Sequence, residues 1–408
     1  MKKSNWRSCL TLALLFIGSS TLLAAENWNQ WRGPLGTGHT TETLPVKFDQ
    51  SNVVWKLDLP GVGQSSPTTW GNKIFLTSAL EDGNQRMVFC VNADTGKIVW
   101  KKVAWTGKAE KTHAMNNRAS SSCVTDGENV IAFFGKGGIH SYTVDGKHNW
   151  SRELGEFAGP WGTASSPIIV DDIIVQNCDA DDTSYLLGLD LKTGKTVWKT
   201  ERFVVRGWST PLLVDTGKRK ELVMNGHNGI NAYDPKTGKD LWFCKGDNGR
   251  GTPTVVPYKK TIIAVAGRPG DMVSVKSGGS GDVTSTHEVW RTKRTGSRDL
   301  PSPTIVGDRL FVASLPGLAT LYNAATGEEL DKQRLDGGFS ASPLVAGGLI
   351  YLPSESGEIL VIETSQPFKI IARNNIGNSD EEIFRASITP YQGKLLCRSD
   401  TVLYCVGK

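Results

Sequence analysis

Five arginine residues occupy related positions in this chain of 408 residues, each within five residues before an apolar segment that opens with serine or threonine. They are Arg118, Arg206, Arg250, Arg298 and Arg385. A guanidinium group stays charged at neutral pH and binds carboxylate or phosphate oxygens through paired N–H groups. If the fold brings the five together, they would form a binding site for an anionic ligand or an acidic partner.

Signatures of other chemistry are missing from the sequence. There is no GxSxG, HExxH or phosphate-binding-loop motif, and the six histidines lack metal-ligand spacing. The acidic segment 179–184 lacks the glycine and the terminal glutamate of a calcium loop, so it indicates a hairpin connection. The glycines of segment 33–38 neither follow a strand nor open a helix, so they indicate a plain loop. The sequence therefore predicts no catalytic residue and no metal site.

An internal repeat organises most of the chain. Thr-Gly-Lys with tryptophan three residues after the lysine occurs at Gly96, Gly194 and Gly238, and weaker copies surround Gly146 and Gly327. A second mark, serine or threonine at the start of an apolar strand and mostly followed by proline, occurs at Ser66, Ser122, Ser166, Thr210, Thr252, Ser302, Ser342 and Ser387. Four short strands fit each repeat of about 40–50 residues, which is the length of one β-propeller blade.

The repeat count predicts the topology. Eight inner-strand starts and eight outer-strand positions indicate eight blades. Segment 53–57 is an outer strand with no inner strand before it, whereas the last unit, 386–406, lacks an outer strand. The prediction is an all-β, eight-bladed β-propeller of four-stranded blades whose ring is closed by the N-terminal strand, which hides both sheet edges. The outer-strand tryptophans are predicted to dock between neighbouring blades; they are Trp55, Trp100, Trp150, Trp198, Trp242 and Trp290.

Chain direction in such a ring places the loops before the inner strands around one end of the central channel. We call this end the channel-mouth face. The five arginines are predicted to converge there, with Trp161 and Trp208 beside them and His227 and Arg268 contributed by neighbouring loops. In the alternative, structural interpretation, the arginines pair with Asp299 or with carbonyl groups and hold the blades together.

The repeat resembles that of a known family. The pattern Ala-x-Asp-x-x-Thr-Gly-Lys-x-x-Trp, nearly complete at 93–100, is similar to the tryptophan-docking repeat of pyrroloquinoline quinone (PQQ) β-propellers, and the resemblance spans about residues 50–408. One branch is the quinoprotein alcohol dehydrogenases; the other is the propeller lipoprotein of the outer-membrane β-barrel assembly machinery.

The two branches imply different functions. The dehydrogenases imply an adjacent cysteine pair on the quinone, a calcium site and an aspartate base, but no two cysteines are adjacent in this chain. The resemblance therefore favours a non-catalytic scaffold without a resident cofactor, which binds a protein or ligand at its channel-mouth face. A PQQ-binding, oxidoreductase-like protein that uses the same channel mouth is the alternative.

The N-terminus predicts export. A basic start, the apolar run 10–17 and small residues up to Ala25 are typical of a cleavable signal peptide, so residues 1–25 are assigned to it. No cysteine follows the apolar run to carry a lipid anchor. Residues 26–50 then form a lead-in segment and residues 51–408 the propeller. The mature protein is expected to be soluble, in the periplasm or secreted, with no membrane span.

The cysteine spacings bear on disulfide formation, and the net charge bears on the class of partner. Cleavage leaves six cysteines at wide spacings, which favours buried free thiols over disulfides. The formal net charge of +5 is too modest to require a nucleic-acid partner. A monomer that binds a protein partner or a small anionic ligand is expected.

Overall fold

The computed structural model describes residues 27–247, 249–294, 298, 300–377 and 382–407. Within these residues eight sheets, each built on four strands, form an eight-bladed β-propeller, as the repeat count predicted. The predicted signal peptide, residues 1–25, and Asp299 lie outside the described residues.

The four strands of each blade are named A to D in order from the channel to the outside of the ring. In blades 1 to 4 they are Thr68–Trp70, Lys73–Leu80, Gln85–Asn92 and Ile98–Thr106; Val124–Thr125, Asn129–Phe133, Ile139–Thr143 and His148–Arg152; Ile168–Val170, Ile173–Asn177, Tyr185–Asp190 and Thr196–Glu201; and Leu212–Asp215, Lys220–Gly226, Gly229–Tyr233 and Asp240–Lys245. In blades 5 to 8 they are Val256–Tyr258, Thr261–Val265, Gly270–Lys276 and Glu288–Arg294; Thr304–Val306, Arg309–Ala313, Leu318–Asn323 and Glu329–Arg334; Leu344–Ala346, Leu349–Pro353, Glu358–Glu363 and Lys369–Asn375; and Thr389–Tyr391, Lys394–Arg398, Val402–Val406 and, as strand D, Val53–Asp58.

A few elements lie outside this plan. Strand Gly281–Asp282 extends blade 4, and helix Thr284–His287 follows it before strand D of blade 5. The short 3-10 helices are Gln50–Asn52, Glu81–Gly83 and Gly135–Gly137. Strand His39–Thr40 lies inside the channel, parallel to strand A of blade 7. No helix among the described residues has the length and apolar character needed to cross a membrane.

The ring closes where the sequence predicted. Strand D of blade 8 comes from the N-terminus and pairs antiparallel with Val402–Val406, with Val53 opposite Val406 and Trp55 opposite Cys405. Apolar residues of the described chain form eight buried clusters, one between each pair of neighbouring blades. Each blade is therefore stabilised by burial against both of its neighbours.

A closed ring of hydrogen bonds explains the serine and threonine marks. The backbone N–H of each marked residue donates to the side-chain hydroxyl of the marked residue in the next blade, at 2.8–3.1 Å, through all eight blades. We call this set the hydroxyl ring; its members are Ser66, Ser122, Ser166, Thr210, Thr254, Ser302, Ser342 and Ser387.

The mark predicted for blade 5 was wrong by two residues. Thr254, not Thr252, donates to Ser302 and accepts from Thr210, although the Thr-Pro dipeptide begins at Thr252. The register is determined by the hydroxyl that reaches the neighbouring amide rather than by the proline. With this correction Arg118, Arg206, Arg250 and Arg298 each lie four residues before a member of the hydroxyl ring.

The Thr-Gly turns and the docking tryptophans form matched pairs. Five of the predicted tryptophans donate the indole N–H to a carbonyl of the next blade at 2.9–3.2 Å; they are Trp55, Trp100, Trp150, Trp198 and Trp290. Each ring lies against the glycine of that blade's turn, where a Cβ would overlap the indole. Gly194, for example, has φ +67°, and a Cβ there would lie 2.6 Å from the Trp150 ring. Glycine is therefore required both for the backbone conformation and for the close approach.

Trp242 departs from this pattern. Its indole N–H donates to the carboxylate of Glu221 in its own blade at 2.9 Å, and its ring is buried among apolar residues of blades 4 and 5. The C–D connection of blade 5 is lengthened by strand Gly281–Asp282 and the helix after it, so no Thr-Gly turn is available to receive Trp242.

The lead-in segment enters the channel instead of lying outside the ring. The amide of Thr69 in blade 1 donates to the carbonyl of Trp28, and the amide of Val345 in blade 7 donates to Gly38. Between these points Arg32 is buried and donates from Nη2 to the carbonyl of Pro303 in blade 6 at 2.8 Å. We call residues 27–40 the N-terminal plug, because they bond to the inner strands of blades 1, 2 and 7 and to Pro303 of blade 6, toward the end of the channel opposite the channel-mouth face.

The cysteines of the described chain are free and buried, as predicted; they are Cys90, Cys123, Cys178, Cys244, Cys397 and Cys405. Burial raises the pKa of the Cys123 thiol to about 12. These residues act as small apolar core groups and do not cross-link the blades.

Candidate functional site

A cavity of about 220 Å³ occupies the channel between the N-terminal plug and the channel-mouth face. Trp31 of the plug lines it, together with members of the hydroxyl ring and loops before the inner strands. The plug crosses the channel beneath the cavity. We call this cavity the cup.

Four guanidinium groups line the cup. They belong to Arg250, Arg268, Arg298 and Arg385. Of these, only Arg385 has a carboxylate within ion-pair distance among the described residues, at 2.9 Å from Glu355. Burial lowers the pKa of Arg250, and the neighbouring guanidiniums of Arg268, Arg206 and Arg298 lower it further. The mouth of the cup therefore concentrates positive charge.

Aromatic residues hold part of this charge in place. Trp161 stacks on His113 with ring centroids 5.2 Å apart, and the guanidinium of Arg250 lies 4.7 Å from the Trp161 ring centroid. Such cation–π contacts contribute about 0.5–2 kcal/mol each. Trp208 also lines the cup, and its indole N–H donates to the carbonyl of Gly162 at 2.8 Å.

Arg250 occupies an unusual backbone conformation. Its φ is +107°, between Gly249 and Gly251, both of which also have positive φ. Non-glycine residues rarely adopt this region, and such strain is concentrated at functional positions. The loop therefore directs the Arg250 side chain into the cup at a conformational cost.

Two of the five predicted arginines do not line the cup. Arg118 packs on Gly83 and donates from Nε to the carbonyl of Glu110 at 3.1 Å, away from the channel. Arg206 forms an ion pair with Asp181, and its guanidinium lies 5.5 Å from the centroid of the Trp161 ring. The structure therefore brings together Arg250, Arg298 and Arg385 in the cup, and places Arg206 against Trp161 outside the residues that line it.

His227 also lies apart from the cup. It lines a separate depression near strand D of blade 5, with Asp271 and Arg291. It is on the same face as the arginines but further from the channel axis.

Two carboxylates at the channel-mouth face were not predicted from the sequence. Asp181 and Glu355, which pair with Arg206 and Arg385, belong to B–C loops of blades 3 and 7. Segment 179–184 is the hairpin connection that the sequence predicted, and its buried Asp179 pairs with Arg202. A comparison of B–C loops across the repeat would have found both carboxylates.

Two further cup residues carried little sequence signal. Trp31 lies in the lead-in, outside the repeat, and His113 lies in the long connection between blades 1 and 2. The signal for Trp31 was its place in an aromatic run, Trp28 to Trp31, ahead of a glycine-rich loop.

The polar groups of the cup indicate which ligands it can bind. Among the described residues no group of three or more histidines, cysteines, aspartates or glutamates could hold a metal ion. The side chains that line the cup include four arginines, several serine and threonine hydroxyls, three tryptophans and His113. The arrangement is suited to binding negative charge.

Fold, repeat and site together define a PQQ-like β-propeller. The family model described as outer membrane protein assembly factor BamB matches residues 40–159 and 280–366, half of the chain. The chain belongs to this family.

Three curated relatives share between 22% and 27% sequence identity with this chain. The chain is 27% identical over 209 residues to an outer membrane protein assembly factor BamB of Legionella pneumophila, covering 50% of this chain and 51% of that protein. It is 22% identical over 372 residues to the BamB of Burkholderia pseudomallei, covering 78% of this chain and 89% of that protein. A tetrathionate hydrolase of Acidithiobacillus ferrooxidans is 25% identical over 345 residues, covering 79% of this chain and 55% of that protein. The chain thus spans about half the length of the first of these relatives.

Solved structures share the fold. BamB of Moraxella catarrhalis has a TM-score of 0.63 at 18% identity, covering 86% of this chain and 96% of that chain. The computationally designed Ika8 protein has a TM-score of 0.62 at 12% identity, covering 87% of this chain and all of that chain, 100%. At these identities the likeness concerns architecture alone.

Proposed function

We propose that this chain is an exported, non-catalytic binding propeller whose channel-mouth face holds the anionic groups of a partner protein. Membership of a family described as an outer membrane assembly factor supports a scaffold role and a location in the periplasm. The predicted signal peptide supports export. A monomer is the state that we expect, because the N-terminal strand completes blade 8 and closes the ring within one chain.

The observation that carries the proposal is the cluster of guanidinium groups at the mouth. Arg250, Arg268 and Arg298 converge on the cup, and no carboxylate of the described residues lies within ion-pair distance of them. Like charges held together repel unless a counter-charge is supplied from outside. Guanidinium groups bind carboxylates bidentately, so an acidic segment of a partner protein would supply it.

A labelled oligoglutamate peptide tests this proposal. We expect saturable binding that weakens with rising salt, and no binding of a matched oligolysine peptide. Replacing both Arg206 and Arg250 with alanine should weaken binding at least about tenfold, a loss of roughly 1.4 kcal/mol. Both side chains are partly exposed, so the melting temperature should stay nearly unchanged.

The matched control is Arg118→Ala, which removes an arginine from the same position in the repeat but from outside the cup. It should leave peptide binding intact. If the double variant unfolds, the arginines hold the blades together. If it folds and binds the peptide as well as the parent protein does, the arginines do not form the binding site. Either result contradicts the proposal.

PQQ binding at the same place is the second candidate. Its carboxylates would suit Arg250, Arg298 and Arg385, which is the observation that favours it. The donor set for a metal beside the quinone does not fit, since the described residues hold no cluster of three metal-ligating side chains. Absorbance of the purified protein after incubation with PQQ and gel filtration separates this candidate from the first.

A further inference from the structure

The hydroxyl ring presents hydrogen-bond donors to the cup. Six of its members line the cavity: Ser66, Ser166, Thr210, Ser302, Ser342 and Ser387. Each hydroxyl oxygen accepts the backbone N–H of the preceding blade, and none of the six donates its proton to an acceptor among the described residues. Since a hydroxyl has one proton to donate, that proton is left for an occupant of the cup.

Further hydrogen-bond donors line the part of the cup nearer the mouth. Arg250, Arg268, Arg298 and Arg385 add guanidinium N–H groups, and none of the described residues that line the cup is an aspartate or a glutamate. A polar surface rich in donors and cations is complementary to a ligand rich in acceptors. Oxyanions, which accept hydrogen bonds and cannot donate them when fully ionised, have this character.

Two buried arginines next to the cup add to the positive field. Arg32 of the plug follows Trp31, and burial lowers its pKa to about 9. Arg398 donates to the carbonyl of Ser65 at 2.9 Å, and burial lowers its pKa to about 9 as well. Neither side chain has an ion pair with a described carboxylate, and both remain largely protonated at neutral pH. An isolated buried cation is costly unless negative charge lies nearby.

The size of the cup limits what can enter. Its volume is about 220 Å³. Drug-sized ligands occupy pockets of about 300–1,000 Å³, so the occupant is smaller than these. The plug closes the far end, which prevents a peptide from threading through the channel.

We infer that the cup binds a small oxyanion, namely a low-molecular-weight carboxylic acid or a sulfate or phosphate ester, seated on the hydroxyl ring and held by Arg250 and Arg298. The inference rests on the proposed use of the channel-mouth face for binding anionic groups, and it assigns to the interior a ligand separate from the partner segment outside. Trp31 forms the floor against which the ligand lies.

Calorimetric titration with citrate, sulfate and phosphate, against chloride at matched ionic strength, tests the inference. At least one of the three should bind saturably and raise the melting temperature, because a ligand that binds only the folded state stabilises it. Exchange of Arg250 and Arg298 together for glutamine should weaken that binding at least about tenfold. Arg118→Gln, matched in position but outside the cup, should leave it unchanged.

The outcomes separate this inference from the proposed function. If none of the three anions binds up to about 10 mM, the weak end of specific affinity, the inference is wrong. It is also wrong if the double variant binds them like the parent protein. Binding of oligoglutamate without binding of the small anions would keep the proposed function and reject the cup, and the reverse result would support the cup and reject the acidic partner segment.

Discussion

The contact between Gly194 and Trp150 allows a quantitative test of how the blades are joined. Alanine at Gly194 must adopt a φ of +67°, and its methyl group would lie 2.6 Å from the Trp150 ring. The left-handed conformation costs roughly 1–2 kcal/mol for an L-residue. Overpacking against the indole adds about 1–3 kcal/mol. The free energy of unfolding should therefore fall by about 2–5 kcal/mol in Gly194→Ala.

A glycine with the same conformation and no neighbour isolates the packing contribution. Gly307, in the A–B turn of blade 6, has φ +59°, and no heavy atom lies within 4 Å of the position that a Cβ would occupy. Gly307→Ala should lower the free energy of unfolding only by the conformational cost, roughly 1–2 kcal/mol. Chemical denaturation followed by circular dichroism gives both values.

The tryptophan itself completes a double-mutant cycle. Trp150→Ala should cost about 3 kcal/mol, the low end for an aromatic core residue, because the ring is half-buried. In that background Gly194→Ala no longer meets the indole and should cost only as much as Gly307→Ala. The coupling energy should therefore be about 1–3 kcal/mol in the direction that relieves the clash. Strict additivity of the two substitutions would refute the paired role of glycine and tryptophan.

Two other predictions concern the hydroxyl ring and a buried histidine. Ser302→Ala leaves the Thr254 amide without its acceptor and should lower the free energy of unfolding by about 1–3 kcal/mol, whereas Ser302→Thr, which keeps a hydroxyl as blades 4 and 5 do, should cost clearly less in urea denaturation. His140 is buried and, as a neutral ring, donates from Nε2 to the Gly137 carbonyl at 2.7 Å; burial lowers its pKa to about 4. Because the folded pKa lies below the unfolded value of about 6.5, stability should fall by up to about 3 kcal/mol as the pH drops from 6.5 to 4, and His140→Gln should remove this part of the pH dependence.

The propeller could be predicted because its repeat marks are local chemistry. Serine or threonine at the start of each inner strand supplies the hydroxyl that the preceding blade needs, and glycine in each Thr-Gly turn supplies the space that the preceding tryptophan needs. Each mark serves one contact with a neighbouring blade, so counting marks counts blades. The error at Thr252 arose because the hydroxyl of the ring in blade 5 belongs to Thr254, which follows the proline instead of preceding it, and the proline has no part in the ring of hydrogen bonds.

The direction of the arginine side chains could not be predicted in the same way. Arg118 and Arg250 both lie four residues before a member of the hydroxyl ring, and both have positive φ, yet only Arg250 lines the cup. Arg118 is turned away by contacts to Gly83 and Glu110, which belong to blade-specific loops. Position along the repeat therefore predicts the face on which a side chain lies, whereas the loops around it determine where it points.

The N-terminal plug shapes the floor of the cup and has the weakest signal in the sequence. Its contacts join residues far apart in the chain, such as Arg32 and Pro303, and no repeat mark announces them. Without the plug the centre of the ring would be an open channel, through which a ligand could pass and in which the arginines would face solvent from both ends. With it, Trp31 forms a floor, the buried Arg32 adds positive charge beneath that floor, and every ligand must enter past Arg250 and Arg298. The charge pattern that the repeat supplies thus becomes a closed site only through a segment that the repeat does not include.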